Sequence, residues 1–358
     1  MRITKKKILI IGGGIHGCFL AYYLSKKNYI ITIIEKNNDI CNGSSAATHN
    51  RANRGFHYPR SKITSNECKI GWNFFYKNFK KLFKNIGSSY YLIEKSGKIS
   101  PKKYKNFLIK QKYKFSEKFP TNLKFNKEKI LSSYQVFEGC FDHKKVVSFL
   151  KKNLIKKKIN IIKKFTLSKF YNQNDKLNFE SKNKQIISDN FDIIINATYS
   201  DTNKIQKILN NKIQIKEKYK IQHTLIPIVI SKKKIPAFTI MDGPFTTVMP
   251  WVGNEKKYLI YDVKHSNSLS PLSNKDKQNR YKLMLAKLDK YLITKYKLKL
   301  HGFLNGKRPV PRKDLESRRS TVIDYYKYSN YRLINIREGK YISAPLEMKK
   351  LASKINNI

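Results

Sequence analysis

The sequence predicts an α/β fold in which a Rossmann-like βαβ domain is interleaved with an α+β domain built on an antiparallel sheet. Three observations lead there. Residues 7–36 read KILIIGGGIHGCFLAYYLSKKNYIITIIEK, an apolar run, a glycine cluster, a helical pattern and a second apolar run. Residues 213–300 change texture, with strand-like runs HTLIPIVI, AFTIMDGPFTTVMP and KYLIYDVKHS separated by Pro, Gly and Lys turns. Short buried-strand runs return outside that block, at Asp192–Thr198 and Tyr331–Ile336. The first domain is therefore expected to be discontinuous, over residues 1–85, 140–212 and 302–358, with 86–139 and 213–301 forming the second.

The opening unit carries the most specific signal. Ile8 to Ile11 is short, β-branched and free of polar residues, as a strand buried on both faces should be. Gly12, Gly14 and Gly17 have the G-x-G-x-x-G spacing. The first allows the tight turn, the second lets the backbone approach a pyrophosphate, and the third lets the helix pack closely on the strand. Ile15, Phe19, Leu20, Tyr23 and Leu24 form the helical stripe, and the helix N-terminus, with Ile15 and His16 in its first turn, offers free N–H groups to phosphate. The second strand ends at Glu35, followed by Lys36. A carboxylate at Glu35 accepts hydrogen bonds from a ribose 2′-hydroxyl and repels a 2′-phosphate, which disfavours NADP and leaves FAD and NAD open.

Composition sets the bounds. A chain of 358 residues can bury a sizeable core. No apolar run approaches the length of a membrane span, and the first strand starts too near Met1 to leave room for a signal peptide, so a cytoplasmic location is expected. Cys18, Cys41, Cys68 and Cys140 are widely spaced and form no C-x-x-C pair, so no metal site is expected and Cys18 and Cys140 read as small core residues. The 75 Lys plus Arg against 24 Asp plus Glu leave a charge of +51. Lysines spread along the whole chain speak for a residue-usage bias, although non-specific binding to nucleic acid at low salt is expected either way.

The arginines are informative because Lys supplies the generic charge. Only 11 of the 75 basic residues are Arg, and nine of those fall in two segments, Arg51, Arg54 and Arg60, then Arg308, Arg312, Arg318, Arg319, Arg332 and Arg337. A planar bidentate fork suits carboxylate or phosphate, so the two segments are expected to meet in space.

After Glu35 the stretch NNDICNGSSAATHNRANRGFHYPRS reads as a loop with one short helix begun at Ser44 or Ser45, and it carries His49, Asn50, Arg51, Asn53, Arg54, His57 and Tyr58. The glycine unit with Glu35, the Ser-Ser-Ala-Ala segment and Gly55–Ser61 (GFHYPRS) together resemble the D-amino-acid oxidase superfamily of FAD-dependent oxidoreductases. The resemblance implies FAD, with Ser44 and Ser45 beneath the pyrophosphate and the segment running on towards the flavin ring. It also brings Asn196, Ala197 and the turn Gly339, Lys340 and Tyr341 to the cofactor, and gives Lys340 the task of stabilising negative charge on the reduced flavin, since this turn has fewer glycines than many members.

The remaining elements follow from pattern. Lys69–Ile86 alternates aromatic and basic residues on a helical period, with Trp72, Phe75 and Phe79 inward; Ser89–Glu94 reads as a strand; Asp142 is a good N-cap for a helix to about Leu150; Ile159–Ile162 is a strand; Asn274–Leu292 is a long helix; Pro345 suits the first turn of a terminal helix. In the resembling family the antiparallel sheet roofs the flavin, and Met249, Trp251, Tyr261 and His265 are candidates for lining it.

Such enzymes work mainly by positioning: a C–H bond is held over the flavin and a hydride leaves. The expected substrate is a small anionic amino or hydroxy acid, with Arg308, Arg51 and Arg54 as candidate carboxylate clamps, Arg308 also as a cofactor contact, and His57 or His49 as base for a hydroxyl. The electron acceptor stays open. The alternatives are a flavin-dependent tRNA-modifying oxidoreductase and a non-catalytic flavin-binding module.

Overall fold

The computed structural model describes residues 5–210, 218–243, 246–253, 256–312 and 320–356. Arg318 and Arg319 lie outside them.

The first domain is a six-stranded sheet in the order Val322–Lys327, Arg332–Arg337, Ile193–Asn196, Lys6–Ile11, Tyr29–Ile34, Asn160–Ile162. Its strands pair in parallel except for the edge hairpin of Val322–Lys327 with Arg332–Arg337. The side-chain period of two divides Lys6–Ile11 cleanly. Ile8 and Ile10 join a core with Phe19, Leu20, Leu150, Met348 and Leu351 from the helices Ile15–Leu24, His143–Lys156 and Ala344–Asn356. Leu9 and Ile11 face the other way, onto Phe165, Phe179, Phe191 and Ile205. That second cover is a three-stranded antiparallel sheet, Leu167–Gln173, Lys176–Ser181 and Ile186–Asp189, together with the helix Thr202–Leu209. An apolar run with no polar position is thus explained: neither face sees water.

The second domain is a nine-stranded sheet in which Tyr219–Ile230 is paired along its whole length with Lys299–Pro311. It is antiparallel apart from the pairing of Ala237–Met241 with Ser89–Glu94. Alternation decides which side meets the other domain. Leu225, Val248 and Ile260 pack outward under Tyr281, Met284 and Leu288 of the helix Asn274–Tyr291. Their chain neighbours Ile226, Thr247 and Tyr261 face a cavity between the two domains.

Several sequence expectations are corrected here. The strand Lys299–Pro311 crosses the expected domain boundary at 301/302, so residues 302–311 belong to the antiparallel sheet; pairing with Tyr219–Ile230 outweighs the turn residues that suggested a break. The aromatic helix runs over Lys62–Asn78 instead of 69–86, because Ser61 caps it earlier by accepting from the Thr64 amide and Phe83–Lys84 is drawn into pairing with Cys140–Phe141. No helix starts at Ser44 or Ser45, whose hydroxyls are used elsewhere. Asp142 caps its helix by accepting from the Lys145 amide, and all four cysteines are free and buried. Among the described residues no helix is long and apolar enough to cross a membrane.

One buried carboxylate ties the second domain together. Asp262 accepts from Lys287 Nζ (2.6 Å), Thr246 Oγ1 (3.1 Å) and the amides of Lys264 and His265 (3.1 and 3.0 Å), which joins the covering helix to two strands. Asp262→Ala leaves a largely buried ammonium without its counter-charge, and a loss of about 3–5 kcal/mol is expected in denaturant unfolding.

Candidate functional site

The glycine turn builds the first half of the site. Gly12 donates to Ile34 O (2.8 Å) and Gly13 to Glu35 Oε2 (2.7 Å), so the Glu35 carboxylate is locked against the turn. Its other oxygen accepts from Asn37 N and Nδ2 (2.9 and 2.6 Å). A Cβ on Gly17 would lie 2.1 Å from the Gly12 carbonyl oxygen, which is the close helix–strand approach that only glycine allows. Ser45 Oγ accepts from the Ile15 amide (3.1 Å) and so caps the helix from a distant loop, while Ser44 Oγ donates to Lys307 O (2.6 Å) and pins that loop to the second domain. The amides of Gly14 and His16 take no partner among the described residues.

A cavity of ≈ 500 Å³ opens on this turn. Gly12, Gly14, Ile15, His16, Glu35 and Lys36 line it, with Ser44, Ser45, Ala197, Gly339 and Tyr341. Gly17 does not, in keeping with its packing position. Lys36 is held by Asp201 at 2.6 Å. Thr198 and Tyr199, which follow the strand Ile193–Asn196, also line the cavity; sequence reasoning stopped one residue short of them, at Ala197, although a strand's carboxyl end is where ligands sit in such sheets.

The second half continues from the first. A cavity of ≈ 640 Å³ shares Ser44, Thr48, Tyr199, Lys307, Gly339 and Tyr341 with its neighbour, so the two form one elongated space of the size a dinucleotide needs. His49, Arg51, His57, Arg308 and Lys340 all line it. Arg308 stands opposite Gln222 in the strand pair, and Gln222 Oε1 accepts from both Nε and Nη2 (2.9 and 2.8 Å), which sets the plane of the guanidinium. Lys340 Nζ donates to Tyr58 Oη (2.5 Å). Tyr341 stacks on Phe141 with ring centroids 3.8 Å apart. Gly339 sits at φ 98°, and a Cβ there would lie 2.7 Å from His16 Nε2.

The two arginine segments meet here, but not entirely. Arg51 and Arg308 both depress the pKa of His49, and Arg60, ion-paired with Asp242, lines the same cavity. Arg54 does not reach it. Its guanidinium lies 4.4 Å from the Trp72 ring, so the expected clamp at Arg54 is instead a cation–π support. Arg337 is spent on Asp324, through Nε (2.5 Å) and Nη2 (3.2 Å). Of the roof candidates only Tyr261 lines the cavity. Met249 is buried with its sulfur 3.0 Å from Arg51 Nη2, Trp251 carries Lys257 over its ring, and His265 turns to Asp262.

Arg51 is organised by Glu138, a residue that sequence reasoning missed as part of the site. Arg51 Nη1 donates to Tyr91 Oη (2.7 Å), Tyr91 Oη donates to Glu138 (3.1 and 3.0 Å to its two oxygens), and Nη1 is 3.6 Å from Glu138 Oε2. Burial raises the Glu138 carboxyl above its usual pKa, and Arg51 works against that shift. A lone acid inside the apolar run VFEGCF was the available signal.

Two imidazoles in the combined cavity, His16 and His49, have a buried Nε2 without a partner among the described residues. Burial pushes His16 down to about 4, and burial together with Arg51 and Arg308 pushes His49 down to about 3. Both rings are neutral near pH 7. His49 is then a poor base and serves better as a hydrogen-bonding wall, which leaves His57 as the base candidate. Bare amides, two unpartnered imidazoles and a glycine cradle are groups a flavin dinucleotide would satisfy, so the residues fit that cofactor.

The comparisons with known proteins give a family and a fold. A family model described as FAD dependent oxidoreductase (DAO) matches residues 7–327. The chain is 25% identical over 277 residues to the FAD-dependent monooxygenase kojA of Aspergillus flavus, a match covering 73% of this chain and 63% of that protein. The probable FAD-dependent monooxygenase kojA of Aspergillus oryzae matches to the same extent, so the chain spans less than two thirds of these curated relatives. Among solved structures, L-alpha-glycerophosphate oxidase from Mycoplasma pneumoniae with FAD bound superposes with a TM-score of 0.76 at 13% identity, covering 99% of this chain and 96% of that one. Glycine oxidase from Geobacillus kaustophilus gives 0.72 at 11% identity, over 99% and 95%. At those identities the likeness is one of fold.

The site makes two predictions. Gly17→Ala forces the helix away from the Gly12 carbonyl, and the variant is expected to purify colourless and to take up no added FAD, read from its visible spectrum. Because the folded-state pKa values of His16 and His49 lie below the unfolded value of 6.5, the unfolded chain binds protons that the native chain refuses. Stability is therefore present above pH 6.5 and falls as pH drops towards 4, by up to about 1.4 kcal/mol per pH unit for each histidine. Chemical denaturation at several pH values checks this, and His49→Asn should flatten the slope.

Proposed function

Because this chain belongs to the DAO family of FAD-dependent oxidoreductases, we propose that it oxidises a C–N or C–O bond of a small anionic substrate, an amino or hydroxy acid, in the cavity beneath the antiparallel sheet. When bound, FAD supplies the acceptor for the hydride that leaves the substrate carbon. The rest is the work of this chain's own residues.

Charge carries the reading. Arg51, Arg60, Lys98, Lys307, Arg308 and Lys340 line the cavity; buried Glu138 faces Arg51, and the one carboxylate among the described lining residues, Asp242, is paired with Arg60, so the lysines and Arg308 make up the excess. An anion entering the cavity finds an excess of cations and a guanidinium whose plane is set by Gln222. Ile226, Thr247 and Tyr261 line the space on the side of the antiparallel sheet. For a hydroxy acid, His57 lines the cavity and can take the hydroxyl proton; an amine that binds in its neutral form needs no such base.

Anaerobic titration of the yellow protein with a panel of amino and hydroxy acids tests this. Bleaching of the flavin bands by one class identifies the bond that is oxidised, and failure of every anionic substrate to bleach them sinks the reading. Arg308→Met is expected to raise KM for the reacting acid by about ten- to a hundredfold, the loss of a charge-assisted hydrogen bond, with FAD still bound.

A further inference from the structure

A third cavity, of ≈ 260 Å³, lies away from the cofactor, where the C-terminal ends of the helices Ile15–Leu24 and Lys62–Asn78 meet the last helix, Ala344–Asn356. Its floor is aromatic. Tyr22, Tyr23, Phe74 and Phe79 form it, with Tyr22 and Tyr23 edge to face at 5.1 Å. Its rim is cationic: Lys26, Lys27 and Lys349 line it, and none of its described lining residues carries a carboxylate. Lys26 Nζ lies 5.0 Å above the Tyr22 ring and 5.8 Å from that of Tyr23, and Lys349 Nζ lies 5.4 Å from Phe74, so ammonium groups rest on ring faces.

The Tyr23 hydroxyl is the second, independent sign. Tyr23 lines the cavity, is 9% exposed, and its buried Oη has no hydrogen-bond partner among the described residues. A buried phenol hydroxyl without a partner is an unmet donor, which an acceptor placed in the cavity would satisfy.

The geometry points to a second ligand site on this face, which takes a small aromatic anion: one ring over Phe74 and Phe79, its acid group between the lysines and accepting from Tyr23 Oη. The volume admits one ring with a carboxylate or phosphate and little more. The site is independent of the proposed oxidation, since none of its lining residues lines either cofactor cavity. It nevertheless shares two elements with the cofactor space. The helix Ile15–Leu24 begins at the glycine turn, and Ala344–Asn356 starts shortly after Gly339–Tyr341, beyond Ile342 and Ser343.

Calorimetric titration of the FAD-loaded protein with phenyl phosphate, at about 0.15 M salt to screen diffuse attraction, tests the site. The expected result is one saturable site that leaves the flavin absorption unchanged. It should bind inorganic phosphate at least about tenfold less tightly, weaken by at least about tenfold in Lys26→Gln/Lys349→Gln, and weaken in Tyr23→Phe, which keeps the ring and so the core. Binding that shifts the flavin bands and disappears in Arg308→Met while ignoring the lysine pair would place the ligand in the substrate cavity and overturn the proposal. Many weak salt-sensitive sites would overturn it too, reducing the effect to the +51 charge. Equal affinity for inorganic phosphate would refute the aromatic class.

Discussion

A single buried carboxylate ties the loop that walls the second cavity to the antiparallel sheet above it. Glu138 is fully buried, yet it accepts from Tyr91 of the antiparallel sheet and from the Arg54 amide of the cofactor-side loop, and its own carbonyl accepts from the Trp72 indole. Arg51 completes the set, reaching Tyr91 with one nitrogen and Thr239 with the other. A charge taken out of water persists only where its partners are fixed, so the position of the loop relative to the sheet is determined as sharply as this cluster's own geometry. The cavity depends on that cluster because Arg51 is one of its walls.

The cofactor end obeys the opposite rule. There, among the described residues, polar groups lack partners: the amides of Gly14 and His16 and the Nε2 atoms of His16 and His49. The protein keeps both imidazoles neutral by burying them, and Arg51 and Arg308 reinforce this at His49.

The arginines show how a charge-rich chain divides its labour. Arg51, Arg60 and Arg308 stand in the cavity, while Arg54 covers Trp72 and Arg337 is sealed against Asp324, whose partner network includes Tyr219 at the start of the long strand. All five are used where a planar fork or a flat cation is needed, and only their neighbours decide whether that use is structural or chemical.

The local signals in the sequence determined the βαβ unit, the strand Ser89–Glu94, the cap at Asp142 and the long helix from Asn274, because each rests on contacts within a few residues or on a periodicity that burial imposes directly. The same unit and the GFHYPRS segment sufficed for the family and for FAD. The site was legible only as a list of side-chain types. Whether Arg54 pointed into the cavity or onto Trp72, whether Ser45 opened a helix of its own or capped one thirty positions away in the chain, and whether Lys299–Pro311 stopped at residue 301 were decided by partners distant in sequence. Glu138 is the plainest case: its part follows from being enclosed with Arg51 and Tyr91, and enclosure is a property of the packed chain that no local pattern encodes.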